Sequence, residues 1–287
     1  MNPYHRFVSE HARLIQEARS YPLGGLEPAP KPERGADAPR ALFFAPHPDD
    51  ECISGGLAVR LLREGRMNVI DVAVTLGRNE ARRAGRLEEL RQACRYLGFG
   101  LVLTAPDGLE RINLKTREQD PAHWHACVKV IAGILAAHRP RVVFCPHDQD
   151  WNSTHIGTHF LVQDALRQMP APFECLVVET EFWGQMTDPN LMVEISAADL
   201  GDMVTATSFH VGEVARNPYH LLLPAWMMDN VRRGGEVVGG QGGKAPEFTF
   251  AALCRLRRWS RGRLEKTFDG GKFLACAEDV GSLLLPA

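Results

Sequence analysis

Five short runs of β-branched and aromatic residues, separated by long amphipathic stretches, constrain this chain more than any other feature. The apolar runs are Ala41–Pro46, Val69–Leu76, Leu101–Thr104, Arg141–Pro146 and Glu174–Val178. Helical patterns lie between them at about Ser54–Glu64, Glu80–Leu97, Pro121–His138 and Ser153–Gln168. Parallel strands need a long crossover, and a helix that supplies it must bury its apolar stripe on the sheet. The alternation therefore specifies α/β, with helices on both faces of a sheet. Right-handed crossovers make the expected architecture a Rossmann-like, mostly parallel sheet.

The flanks read differently. Residues 1–20 pattern as an amphipathic helix, and Tyr21–Arg40 (YPLGGLEPAPKPERGADAPR) as a Pro/Gly-rich extended arm. The expected division is an arm over 1–40 and one α/β domain over 41–287. Beyond about residue 180 the pattern weakens. The Gly-rich run at 232–244 lacks GxxxxGK[ST], so it is no phosphate loop; it reads as a surface loop or as a lid over a site.

Composition removes several classes. With 33 Lys+Arg against 35 Asp+Glu the net charge is -2, which offers no general attraction for nucleic acid. No window approaches the roughly 20 apolar residues of a membrane span. The N-terminus carries charges where a signal peptide needs an apolar core, so the expected location is cytoplasmic. The seven Cys are scattered with no CxxC pair, and read as reduced thiols rather than as disulfides or a zinc site.

Two strands end in unusual chemistry. The first apolar run breaks into His47-Pro48-Asp49-Asp50-Glu51, and the fourth into His147-Asp148-Gln149-Asp150, followed by Asn152, His155 and His159. Ligands bind at the carboxyl ends of parallel strands, so the two polar bursts are expected at one sheet edge although about 100 residues apart. Carboxylates there need a cation or solvent. Imidazole with carboxylate is a ligand set for Zn²⁺ or another divalent metal. His47 and Asp50 can supply two ligands from one loop, and His155 or His159 the third.

The resemblance to a known family rests on these residues. APHPDDE at 45–51 is similar to the AHPDDE signature of the LmbE-like, or PIG-L, zinc-dependent de-N-acetylases. Thr75-Leu76-Gly77, Arg86-Leu87-Glu88-Glu89 and Leu97-Gly98 follow that family's order, and Asp150–His155 lines up with its D-x-H-P-D-H. The resemblance implies His47, Asp50 and His155 as metal ligands, Asp49 as the base acting on a metal-bound water, and Arg86 as a substrate-holding residue. It departs at one place: the family's first His in D-x-H-P-D-H is Asn152 here. An amide can donate to an oxyanion but cannot deliver a proton at neutral pH. Either Asp49 returns the proton it took, or His147, His159 or His210 supplies one, or catalysis is weak. A register slip making His159 the ligand is the alternative.

Lesser signals complete the expectation. Glu181 and Trp183 follow the fifth strand and are candidates for a sugar pocket, as is His159. Arg82, Arg83 and Arg86 form a basic patch suited to an anionic sugar. NPYHLLLPAWMMDNVRR (217–233) reads as core or as a homo-oligomer contact, with a substrate-pocket wall as the alternative. The expected function is a metal-dependent hydrolase releasing an N-acetyl group from an N-acetylglucosamine-like small molecule. Alternatives are an amidase on a thiol-sugar conjugate or natural product, and a non-catalytic metal-dependent sugar-binding protein.

Overall fold

The computed structural model describes residues 2–28, 33–35 and 37–284. The five expected strands are β1 (Arg40–Ala45), β2 (Asn68–Ala73), β3 (Gly100–Leu103), β4 (Val142–Pro146) and β5 (Cys175–Thr180). They lie side by side, all parallel, in the order β3-β2-β1-β4-β5. Four further strands, β6 (Leu191–Glu194), β7 (Ala251–Ser260), β8 (Arg263–Lys266) and β9 (Lys272–Leu274), extend the same sheet beyond β5. β7 pairs antiparallel with β5, β6 and β8, so the sheet is mostly parallel with a mixed edge.

Alternate residues of β1 feed the two faces. Phe43 and Ala45 pack with Leu57, Leu61, Leu90 and Met203. These come from α3 (Gly56–Arg63), α4 (Glu80–Leu97) and α8 (Ala197–Ser208). Leu42 and Phe44 pack with Trp124, Ile131, Leu161 and Val162, from α6 (Pro121–His138), which follows the short α5 (Leu114–Gln119), and from α7 (Ser153–Leu166). This is the doubly covered Rossmann-like architecture that the alternation implies.

Local chemistry sets the helix ends. Asn79 caps α4 by accepting from Ala81 N, and Gly98 closes it in the left-handed region at φ 83°. The helix expected over Ser54–Glu64 is two pieces, a short α2 (Asp50–Ile53) and α3. A Cβ on Gly55 would collide with Glu51 O, so the chain turns sharply between them.

The Gly-rich run corrects an expectation. Its first half is the end of α10 (Tyr219–Val237), not a loop or lid. Gly234 has no room for a Cβ because Met192 Cε and Leu253 Cδ2 press on it, which lets the helix lie close on the sheet. At the other terminus, α1 (Pro3–Ala18) forms as the pattern suggests and buries none of its residues. Part of the arm, residues 29–32 and 36, lies outside the described residues. No described helix is long and apolar enough to cross a membrane.

Candidate active site

β1 and β4 are hydrogen-bonded neighbours, with Phe43 opposite Phe144. Strand order reverses between them, since β2 and β3 lie on one side and β5 on the other. That reversal opens the crevice in which such sheets bind ligands. Both polar bursts emerge there: His47–Glu51 just after β1, and His147–His155 between β4 and the first turn of α7.

Each ligand atom of His47, Asp50 and His155 lies within 4.8 Å of the others. His47 Nδ1 is 3.4 Å and His155 Nε2 3.3 Å from Asp50 Oδ2. Tetrahedral zinc with bonds of about 2.0–2.1 Å spaces its ligand atoms by about 3.4 Å, so the separations suit such an ion. His155 Nε2 is buried without a hydrogen bond, and so is Asp150 Oδ2, which lies 3.5 Å from His155 Nδ1. Those orphaned atoms, with a carboxylate behind the imidazole, are what a metal-ligating His and its orienting acid need. The donor set therefore fits a divalent ion.

The electrostatics agree. Burial alone would lower the His155 pKa, but Asp50 and Asp150 push it up to about 10. Burial opposes charge on Asp50 too, yet His155 and His47 hold it well below the usual carboxylate range. Burial lowers His47. Asp49, beside them, is raised by burial and then by the Asp50 carboxylate.

Asp49 is strained. Its backbone sits at φ 122° and ψ -27°, a region costly for any residue with a Cβ, by about 1–3 kcal/mol. Its N–H donates to Glu51 Oε2 at 2.9 Å. Arg86 Nη2 donates to Pro48 O at 2.8 Å and lies 3.9 Å from Asp49 Oδ1. Arg86 thus packs against the turn that carries Asp49, over a Gly77 that has no room for a side chain.

Asn152 caps α7: its Oδ1 accepts from Thr154 N at 2.9 Å. It lines a cleft of about 590 Å³ together with His47, Thr75, Arg83, Leu109 and Asn113. Behind the ligands a cavity of about 10 Å³ lies between Asp50, Asp150, His155, Phe43, Glu181 and Phe182, room for about one water.

The remaining candidates part company. His159 is one turn beyond His155, but its Nδ1 donates to Pro146 O at 3.0 Å and lies 3.3 Å from Glu179, away from the His47 group. A cation already occupies that second cluster: Arg255 bonds Glu179, Asp148 and Asp188, and Arg257 bonds Glu179. His147 accepts at Nδ1 from Gln149 N and meets Gly184 O at Nε2, so both ring nitrogens are taken. Glu181 is buried, with its carboxylate on Met186 N and Arg233. Trp183 is 42% exposed and stacks on Trp151, which is 78% exposed, with ring centroids 6.2 Å apart. The block at 217–233 supplies α10, whose Leu223 and Met227 are core.

One pairing escaped sequence reasoning, that of the candidate His210 with Glu51. His210 is fully buried, and its Nε2 meets Glu51 Oε1 at 2.8 Å. Burial would lower the His210 pKa, but the Glu51 carboxylate raises it overall. A lone His in TSFHVGEV offers no spacing that links it to Glu51, 159 residues earlier.

Comparison with known proteins follows the same lines. No curated protein matches the chain by sequence. The PIG-L family model, described as GlcNAc-PI de-N-acetylase, matches residues 42–166. Among solved structures, the N,N'-diacetylchitobiose deacetylase from Pyrococcus horikoshii, complexed with its inhibitor MPG, is 18% identical with a TM-score of 0.54. That match covers 89% of this chain and 93% of the other. The zinc-inhibited form of teicoplanin deacetylase is 12% identical with a TM-score of 0.52, over 77% of this chain and 98% of its own. GalB, the 4-carboxy-2-hydroxymuconate hydratase from Pseudomonas putida KT2440, is 17% identical with a TM-score of 0.56, over 76% and 95%. The same fold thus carries a hydratase, and function must be argued from the site. With its His-Pro-Asp-Asp-Glu turn after β1 and its family-model match over residues 42–166, this chain is similar to the PIG-L, LmbE-like family across the part of the fold that carries the site.

Proposed function

We propose that the chain is a metal-dependent hydrolase that removes an N-acetyl or similar N-acyl group from an N-acetylglucosamine-like sugar derivative. The observation that carries this reading is the convergence of His47, Asp50 and His155 at the β1–β4 crevice, with Asp49 on the same turn. The three would hold a divalent ion, zinc first among the choices. Once bound, such an ion polarises an amide carbonyl and lowers the pKa of a water.

Asp49 is the base in this reading, taking a proton from the attacking water. Asn152, on the cleft wall, directs an amide N–H at the oxyanion that forms as the carbonyl carbon becomes tetrahedral. The C–N bond then breaks and the amine leaves with a proton. His147 and His159 have their nitrogens committed elsewhere, and His210 is buried against Glu51. Proton return therefore falls to Asp49 in its acid form. Arg83 and Arg86 lend positive charge to the rim, and Trp183 offers an exposed indole face for a sugar ring. Arg86 acts through the Asp49 turn rather than by reaching the substrate, and Glu181 by holding residues 181–186 in place.

The test is acetate release from N-acetylglucosamine derivatives by the metal-loaded protein. Wild type is expected to turn over, and Asp49→Ala to lose at least about a hundredfold in kcat. Undiminished turnover in Asp49→Ala would sink the mechanism. Metal binding without any turnover would favour the sugar-binding alternative.

A further inference from the structure

The base of a hydrolase must be held in one place, and Asp49 sits in a backbone conformation that does not hold itself. Two arms reach it from the same distant segment, the junction between α8 and α9 (Val211–Val214). The first arm is buried throughout. His210 Nε2 donates to Glu51 Oε1 at 2.8 Å, and Glu51 Oε2 accepts the Asp49 N–H at 2.9 Å. His210 and Glu51 are both fully buried. The second arm starts three residues later. Glu213 Oε1 lies 3.8 Å from Arg86 Nε and 3.0 Å from Arg82 Nη2, and Arg86 Nη2 donates to Pro48 O at 2.8 Å.

The Asp49 turn is thus gripped at the N–H of Asp49 by one arm and at the carbonyl of Pro48 by the other. These two groups belong to the one peptide unit whose orientation about the Asp49 N–Cα bond sets the strained φ. A buried ion pair is a poor source of stability compared with apolar packing. Its polar groups here are directed at one peptide unit. Glu51 spends one carboxylate oxygen on the strained N–H and the other on His210 and Cys52 Sγ.

We propose that His210 and Glu51 are positioning residues, which hold Asp49 at its working angle without touching substrate. This rests on the reading of Asp49 as the base. Misplacing a reacting group by about 1 Å costs on the order of a hundredfold in rate.

The experiment uses the full-length, metal-loaded chain and acetate release, with His210→Ala, His210→Gln, Glu51→Gln and Asp49→Asn. Metal affinity is measured separately by titration with Co²⁺, followed by its visible absorption. Glu51→Gln keeps the volume but leaves one acceptor oxygen for three donors, the Asp49 N–H, His210 Nε2 and Cys52 Sγ. Its kcat is expected to fall about a hundredfold, with KM and Co²⁺ affinity within about threefold of wild type. His210→Ala should behave the same way. His210→Gln, whose amide N–H can still reach Glu51, should recover kcat to within about tenfold of wild type.

A Glu51→Gln protein with kcat within about threefold of wild type overturns the proposal, even if His210→Ala fails to fold. So does a loss of Co²⁺ affinity that accounts for the whole loss of rate, since the pair would then act on the metal ligands. An active Asp49→Asn protein would instead remove the base assignment itself. A dead Asp49→Asn beside a fully active Glu51→Gln would remove only the positioning role.

Discussion

In the proposed reading Asn152 has two duties, helix cap and oxyanion donor, that one substitution can separate. Its Oδ1 is committed to Thr154 N at 2.9 Å, and its own N–H donates to Asp150 Oδ1 at 2.8 Å. That leaves the carboxamide nitrogen as the uncommitted side-chain donor of a residue that lines the cleft. Asn152→Ala removes both functions. Loss of the cap costs about 1 kcal/mol, which in a chain of this size lowers Tm by about 2–4 °C. Loss of an oxyanion donor costs about 2.7–4 kcal/mol in the transition state, a 10²–10³-fold fall in kcat.

Asn152→Asp divides the two. A carboxylate caps as well as an amide, and its charge favours the α7 N-terminus by about 0.3–1 kcal/mol, so Tm should not drop. The donor is gone, and a negative charge stands where an oxyanion must form. Activity should therefore fall at least as far as in Asn152→Ala. The measurements are thermal melting and acetate release at saturating substrate, on the same metal-loaded samples. If Asn152→Asp keeps kcat within about threefold of wild type, the amide takes no part in the transition state and the residue is a helix cap only.

Three other outcomes follow from the same geometry. Both Asp71 carboxylate oxygens are buried in β2 without a partner, and burial, then Glu51 and Asp50, raise its pKa well above the ordinary range. An acid raised in this way holds its proton more tightly folded than unfolded, so its penalty is absent below about pH 4 and grows as pH rises. Asp71→Asn should melt about 2–4 °C above wild type at pH 8 and no higher at pH 4, and a pH-independent difference would refute the account. Arg255→Met strands the fully buried Glu179 with Arg257 as its one remaining guanidinium, and should cost about 3–5 kcal/mol in chemical denaturation. Addition of a chelator should lower Tm by about 5–10 °C, as expected when an ion present at about 100 times its Kd is removed, whereas His155→Ala should be insensitive to the chelator.

The sequence by itself carried the first five strands and the long helices between them. Buried parallel strands must be apolar on both sides, and that leaves a mark no tertiary context can erase. It also marked both polar bursts, because His, Asp and Asn at the end of an apolar strand break the pattern abruptly. β7 left no such mark. It runs through the sheet interior, yet its ALCRLRRWS stretch carries Arg255 and Arg257, which look like a solvated edge until the antiparallel register sets Arg255 opposite Glu179. The Gly-rich run misled for the opposite reason. Glycine marks loops by its freedom, but Gly234 lies within a helix, where the Met192 and Leu253 side chains crowd the space a Cβ would take.

In the site, local spacing could bring His47 and Asp50 together on one turn. Which histidine joins them was decided by the rotation of α7, which puts His155 over Asp50 and turns His159 toward Glu179 and the buried arginines. The pairing of His210 with Glu51 was beyond any reading of spacing, since partners 159 residues apart meet only when α8 packs back on the sheet. Periodicity is a local property and survives in the sequence. Charge compensation between distant strands and helices exists only once the chain has folded.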